Sequence, residues 1–73
     1  MRNDFSIWGL SEGDAAKLRG YSSEGILKIT SMGVRSKAYE PYHFIVETKL
    51  TREQFADLVL SLDYPATVGW KAL

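Results

Sequence analysis

Apolar and polar positions follow two periods along this chain, and the helical one is the clearer. Over residues 51–62, Phe55, Leu58, Val59 and Leu62 recur at i, i+3, i+4 and i+7 and form one apolar stripe. Arg52, Glu53, Asp57 and Ser61 fall away from that stripe, toward water. The start of the helix is specified in detail. Thr51 and Gln54 have the Thr-x-x-Gln spacing of a reciprocal capping box, and Leu50 and Phe55 are placed to staple across it. Pro65 prevents continuation past Tyr64.

The second period is that of strands. Residues 42–50 alternate, with Tyr42, Phe44, Val46 and Leu50 on one face and His43, Ile45, Glu47 and Lys49 on the other. One face is apolar and the other mostly polar, the pattern of an antiparallel sheet covered on one side. Residues 4–8 alternate too, placing Phe5 and Ile7 opposite Ser6 and Trp8. Residues 26–32 are rich in β-branched side chains and read as a strand closed by Gly33. Residues 66–70 suit a short final strand.

Between these elements the pattern is weaker. Ala15, Ala16 and Leu18 allow a turn of helix over residues 11–19 closed by Gly20, with Gly13 arguing equally for a structured loop. Residues 21–25 read as a turn, and residues 34–41 as a loop or hairpin connection. A helix with a single apolar stripe needs a sheet to cover. The expected fold is α+β: one domain over residues 1–73, with a small antiparallel sheet of three or four strands and one amphipathic helix packed on one face.

Composition narrows what such a domain can do. Nine basic residues balance nine acidic ones, whereas nonspecific binding to nucleic acid draws most of its affinity from a basic excess. There is no cysteine, so neither disulfides nor thiolate metal sites are available to this chain, and its apolar core, aided by any self-association, must stabilise it. No apolar run reaches the length needed to span a bilayer, and the first residues lack the apolar stretch of a signal peptide. A cytoplasmic location is expected.

Candidate chemistry is sparse. His43 is the only histidine and reads as a surface or edge residue of its strand rather than a base or ligand. No Gly-x-Ser-x-Gly elbow is present, and Glu12, Asp14 and Glu24 lack the spacing of a calcium loop and read as turn and cap residues. The glycines match no phosphate-cradling motif. No cofactor, metal or catalytic residue is therefore expected. What stands out is a basic and aromatic stretch, with Arg35, Lys37, Tyr39, Tyr42 and His43 as the candidate partner-binding residues. Such residues dominate protein interfaces and also stack and neutralise nucleotides or single strands, with Trp8 or Trp70 available for stacking. The two tryptophans read more readily as core residues, since so short a chain has little core to spare.

Residues 46–59, VETKLTREQFADLV, with Ser61 and the later Pro65-Ala66-Thr67-Val68, resemble the C-terminal part of small uncharacterised phage and prophage proteins. In those proteins a strand ending in Leu-Thr or Met-Ser runs into Gln-Phe-Ala, and a Pro-x-Thr strand follows the helix. The resemblance covers about the last third of the chain, and it implies a phage or mobile-element origin without transferring any catalytic residue. Joined to the lack of catalytic groups, it suggests an interaction protein that inhibits a host factor in the host cytoplasm, with CRISPR interference a candidate target. Binding of a nucleotide or single-stranded nucleic acid is the alternative.

The capping box gives a first test. Thr51→Ala is expected to lower stability by roughly 1 kcal/mol in urea unfolding, the usual loss for an N-cap hydroxyl. No measurable change would place the helix start elsewhere.

Overall fold

The structure, a computed structural model, describes residues 2–34 and 41–73. Its elements run β1 (Asn3–Leu10), α1 (Glu12–Ser23), β2 (Leu27–Val34), β3 (Tyr42–Thr48), α2 (Arg52–Leu60), a 3-10 turn (Pro65–Thr67) and β4 (Gly69–Ala72). The four strands form one sheet in the order β2-β3-β1-β4, every neighbouring pair antiparallel. Because β1 and β2 are each antiparallel to β3, they run parallel to one another, joined by α1 across the intervening strand. By the same reasoning β3 and β4 are parallel, joined by α2 across β1. This is the split βαβ arrangement. Right-handed crossovers, the rule for such connections, put both helices on the same side of the sheet. The core bears this out: Ala15 and Leu18 of α1, Phe55 and Val59 of α2 and Phe5, Ile7, Phe44 and Val46 of the inner strands belong to one buried cluster. The fold is α+β with an antiparallel sheet, as expected, and the segment left open between helix and loop supplies a second helix.

The junction into α2 is built as its sequence specifies. Thr51 Oγ1 accepts from the Gln54 amide at 3.2 Å, and Gln54 Oε1 accepts from the Thr51 amide at 2.9 Å. Leu50 packs against the core cluster that contains Phe55. The Phe55 ring stacks on Phe5, with centroids 4.2 Å apart, and Trp70 meets both edge-on at 5.3 and 5.7 Å. Offset and edge-on contacts of this kind add to simple burial, so Trp70 is a packing residue, half-buried over the stacked pair.

Several boundaries differ from expectation: β1 runs Asn3–Leu10 rather than 4–8, β3 stops at Thr48 rather than Leu50, and α2 ends at Leu60 rather than Leu62. Helix α1 does not stop at Gly20 but runs to Ser23, and residues 21–23 belong to it rather than to a turn. Gly20 costs the helix about 1 kcal/mol relative to alanine, but Tyr21 beyond it packs against the core and holds the last turn. The helix closes instead at Gly25, whose φ is +80°. There the Gly25 amide donates to Ser22 O and the Ile26 amide to Tyr21 O, the paired bonds of a Schellman motif. Strand β2 extends through Gly33 to Val34. Residues 65–67 form a 3-10 turn started by Pro65, so the last strand begins only at Gly69. Strand β2 also contains a bulge: Ile29 pairs with Val46 and Ser31 with Ile45, leaving Thr30 extra, its hydroxyl donating to Ile45 O.

One buried polar group ties these parts together. Asp14, fully buried in the first turn of α1, accepts from the Asp63 amide at 2.8 Å and the Tyr64 amide at 3.2 Å. Beside it on the surface, Lys17 donates to the Asp63 carboxylate at 2.8 Å, and this hydrogen bond raises the lysine above its ordinary value of 10.5. The small benefit of that pair is complete below pH 10.5 and fades as pH rises through the elevated value. Being exposed, it is minor.

Two outcomes follow. Asp14→Ala leaves two part-buried amides without their acceptor and is expected to cost about 1–3 kcal/mol in urea unfolding, with Asp14→Asn milder because one acceptor survives. Gly9 (φ +73°) would place a Cβ 2.1 Å from Thr67 O, whereas Gly25 meets nothing within 4 Å. Gly9→Ala should therefore lower stability by more than ~2 kcal/mol, and Gly25→Ala by only the ~1 kcal/mol of a left-handed alanine. Equal losses at the two positions would mean that Gly9 does not abut the 3-10 turn.

Candidate functional site

Of the five residues expected to bind a partner, Arg35, Lys37 and Tyr39 lie outside the described residues, between β2 and β3. Tyr42 and His43 open β3, and its alternation sends them to opposite sides. Tyr42 faces the helices, half-buried, with the Arg19 guanidinium 5.6 Å from its ring centroid and 6.0 Å from that of Phe44. His43 points to the open face of the sheet and is exposed. These neighbours in sequence therefore belong to two different surfaces.

The first surface is the outer edge of the sheet. Among the described residues strand β2 has no neighbour on one side, and its C-terminal half leaves Met32 57 % and Val34 68 % exposed. A shallow groove runs beside it, lined by Arg19, Ile29, Thr30, Ser31 and Met32. Isolated exposed apolar residues are ordinary, but two at alternate positions of one edge strand form a small patch.

The second surface is the open face. Residues pointing there from the inner strands are Asp4, Ser6 and Trp8 on β1 and His43, Ile45 and Glu47 on β3, and Lys71 of β4 is paired with Ser6. Asp4 and Glu47 are cross-strand partners at one end, where Arg2 forms an ion pair with Glu47. The other end is different in kind. Trp8 is 41 % exposed, and its indole lies over Gly69, where even a Cβ would come within 2.3 Å of the ring. His43 Nε2 is 3.1 Å from Ser6 Oγ. A concavity of about 590 Å³ is lined here by Ser6, Trp8, Gly33, Val34, His43 and Lys71.

The serine–histidine contact calls for a chemical reading. Acyl transfer needs a base oriented by a third group and amide donors aimed at the developing oxyanion. No described residue hydrogen-bonds His43 Nδ1. Strand β1 is paired on both sides, so the amides around Ser6 are engaged in the ladders. The site offers stacking and hydrogen bonding. Among the described residues no cluster of three histidine or carboxylate side chains is placed to hold a metal, and no helix is long and apolar enough to cross a membrane.

Sequence reasoning identified His43 and offered Trp8 for stacking, but did not bring Ser6 or Lys71 to them. The alternation of residues 4–8 already sets Ser6 and Trp8 away from Phe5 and Ile7. Lys71 carried no signal, because the last strand was expected at residues 66–70. Comparison of the chain with protein-family models, with curated proteins and with solved structures finds no match.

Proposed function

We propose that this domain is a protein-interaction module, a small phage-encoded inhibitor that docks on a host factor through the edge of β2 and the basic, aromatic segment that follows it. The observation that carries this reading is the exposure of Met32 and Val34 at the end of an edge strand, leading directly into Arg35, Lys37 and Tyr39 in sequence. Apolar contact flanked by Arg and Tyr is the composition of interface hot spots. The balanced charge agrees with it, since such a surface binds by excluding water and not by a long-range field. The likeness of residues 46–68 to phage and prophage proteins supports the origin, and host anti-phage machinery, CRISPR interference included, is the first class of target to try.

The test is capture from a lysate of a permissive host carrying such a system, with bound proteins identified by mass spectrometry. Met32→Glu and Arg35→Glu should each weaken capture of the specific partner by about tenfold or more, the ~1.4 kcal/mol that marks an interface contact. Leu60→Glu, at an equally exposed apolar position on α2, should leave it intact. If all three variants retain the same partner, or none is captured by the parent protein, the reading fails.

A further inference from the structure

A different pair of residues, on the open face, has chemistry that the protein-binding reading does not use. Trp8 and His43 stand side by side on the two inner strands of a four-stranded sheet, in a concavity whose lining contains one permanent charge, Lys71. Gly69 beneath the indole supports it at contact distance, and Gly33 at the His43 side keeps the floor low. The Trp8 ring is thereby held against the sheet on one side and bare on the other. The two carboxylates of this face, Asp4 and Glu47, sit toward its opposite end, and Glu47 is engaged by Arg2.

Rings exposed on adjacent strands with a cation beside them match the chemistry of a single-stranded nucleic acid: flat bases that stack, joined by phosphates. We infer that the open face binds a short stretch of single strand, with one base on Trp8, the next on His43 and the linking phosphate at Lys71. The Ser6 hydroxyl, hydrogen-bonded to His43 Nε2 at 3.1 Å, positions the imidazole ring and does not contact the strand. This inference shares only His43 and Val34 at the rim with the residues weighed for the protein interface, and either can fail without the other.

The charge balance of the chain sets the character of the interaction. With one phosphate neutralised, affinity falls only shallowly with salt, with a log–log slope of about −0.7. Stacking, which is tolerant of sequence, dominates.

The experiment titrates the full chain with an eight-nucleotide oligo(dT), following tryptophan fluorescence for location and anisotropy of a labelled strand for affinity. Saturable quenching is expected in the parent protein. Trp8→Ala should weaken binding by roughly 5- to 150-fold, the range for losing one stacked base. Trp8→Phe, which keeps a ring, should recover much of it while abolishing the quenching. Lys71→Gln should flatten the salt dependence to near zero, and Met32→Glu should change nothing. The inference is overturned by an absence of saturable binding in the folded parent protein, by Trp8→Ala binding as the parent does, by thymidine monophosphate competing as well as the octamer, or by duplex binding equally well.

Discussion

The two hydrogen bonds that Asp14 accepts from the backbone at residues 63 and 64 hold this fold in its particular shape. They join the first turn of α1 to the chain as it leaves α2, two places almost fifty residues apart in sequence. Everything C-terminal of that junction is placed by it. Tyr64 is fixed, so Pro65 can begin its 3-10 turn, and Thr67 comes to rest against Gly9, donating to its carbonyl oxygen. Only then does the chain enter the sheet as β4 beside β1. A carboxylate so deeply buried is tolerable because both of its oxygens are engaged.

This arrangement determines which surfaces are left for function. Both helices cover one side of the sheet, so among the described residues the opposite side has no second layer, and the order β2-β3-β1-β4 leaves β2 without an outer partner. The open face sorts its carboxylates toward one end and its rings, with Lys71, toward the other. The edge offers aliphatic side chains instead. Tyr42 and His43, adjacent in the chain, are divided between these regions by the two-residue period of a strand.

How much of this the sequence discloses depends on whether the cause is local. The strand-to-helix junction over residues 42–62 is legible because the capping box, the staple and both periods lie within a few residues of what they determine. The extent of α1 is not, because Gly20 is a poor helix residue kept helical by packing on either side of it and by a stop signal at Gly25. Nor is the start of β4, which depends on Asp14, a residue that in isolation looks like an ordinary first-turn acid. The candidate site shares this limit. The alternation of β1 already sets Trp8 apart from Phe5, but its nearness to Lys71 is a product of β4 pairing, and the grouping of Tyr42 with His43 followed chain proximity where the strand period separates them.

The bulge at Thr30 bears on how the molecule behaves in a crowded solution. A protein with a pI near 6.5 and no net charge has little electrostatic repulsion to keep its copies apart. Its defence against stacking edge to edge is geometric. One outer strand is broken by an extra residue that twists its hydrogen-bonding groups out of line, and the other is only four residues long. Colloidal stability therefore resides in the backbone of two strands, and substitutions that straighten β2 would impair solubility before they impaired folding.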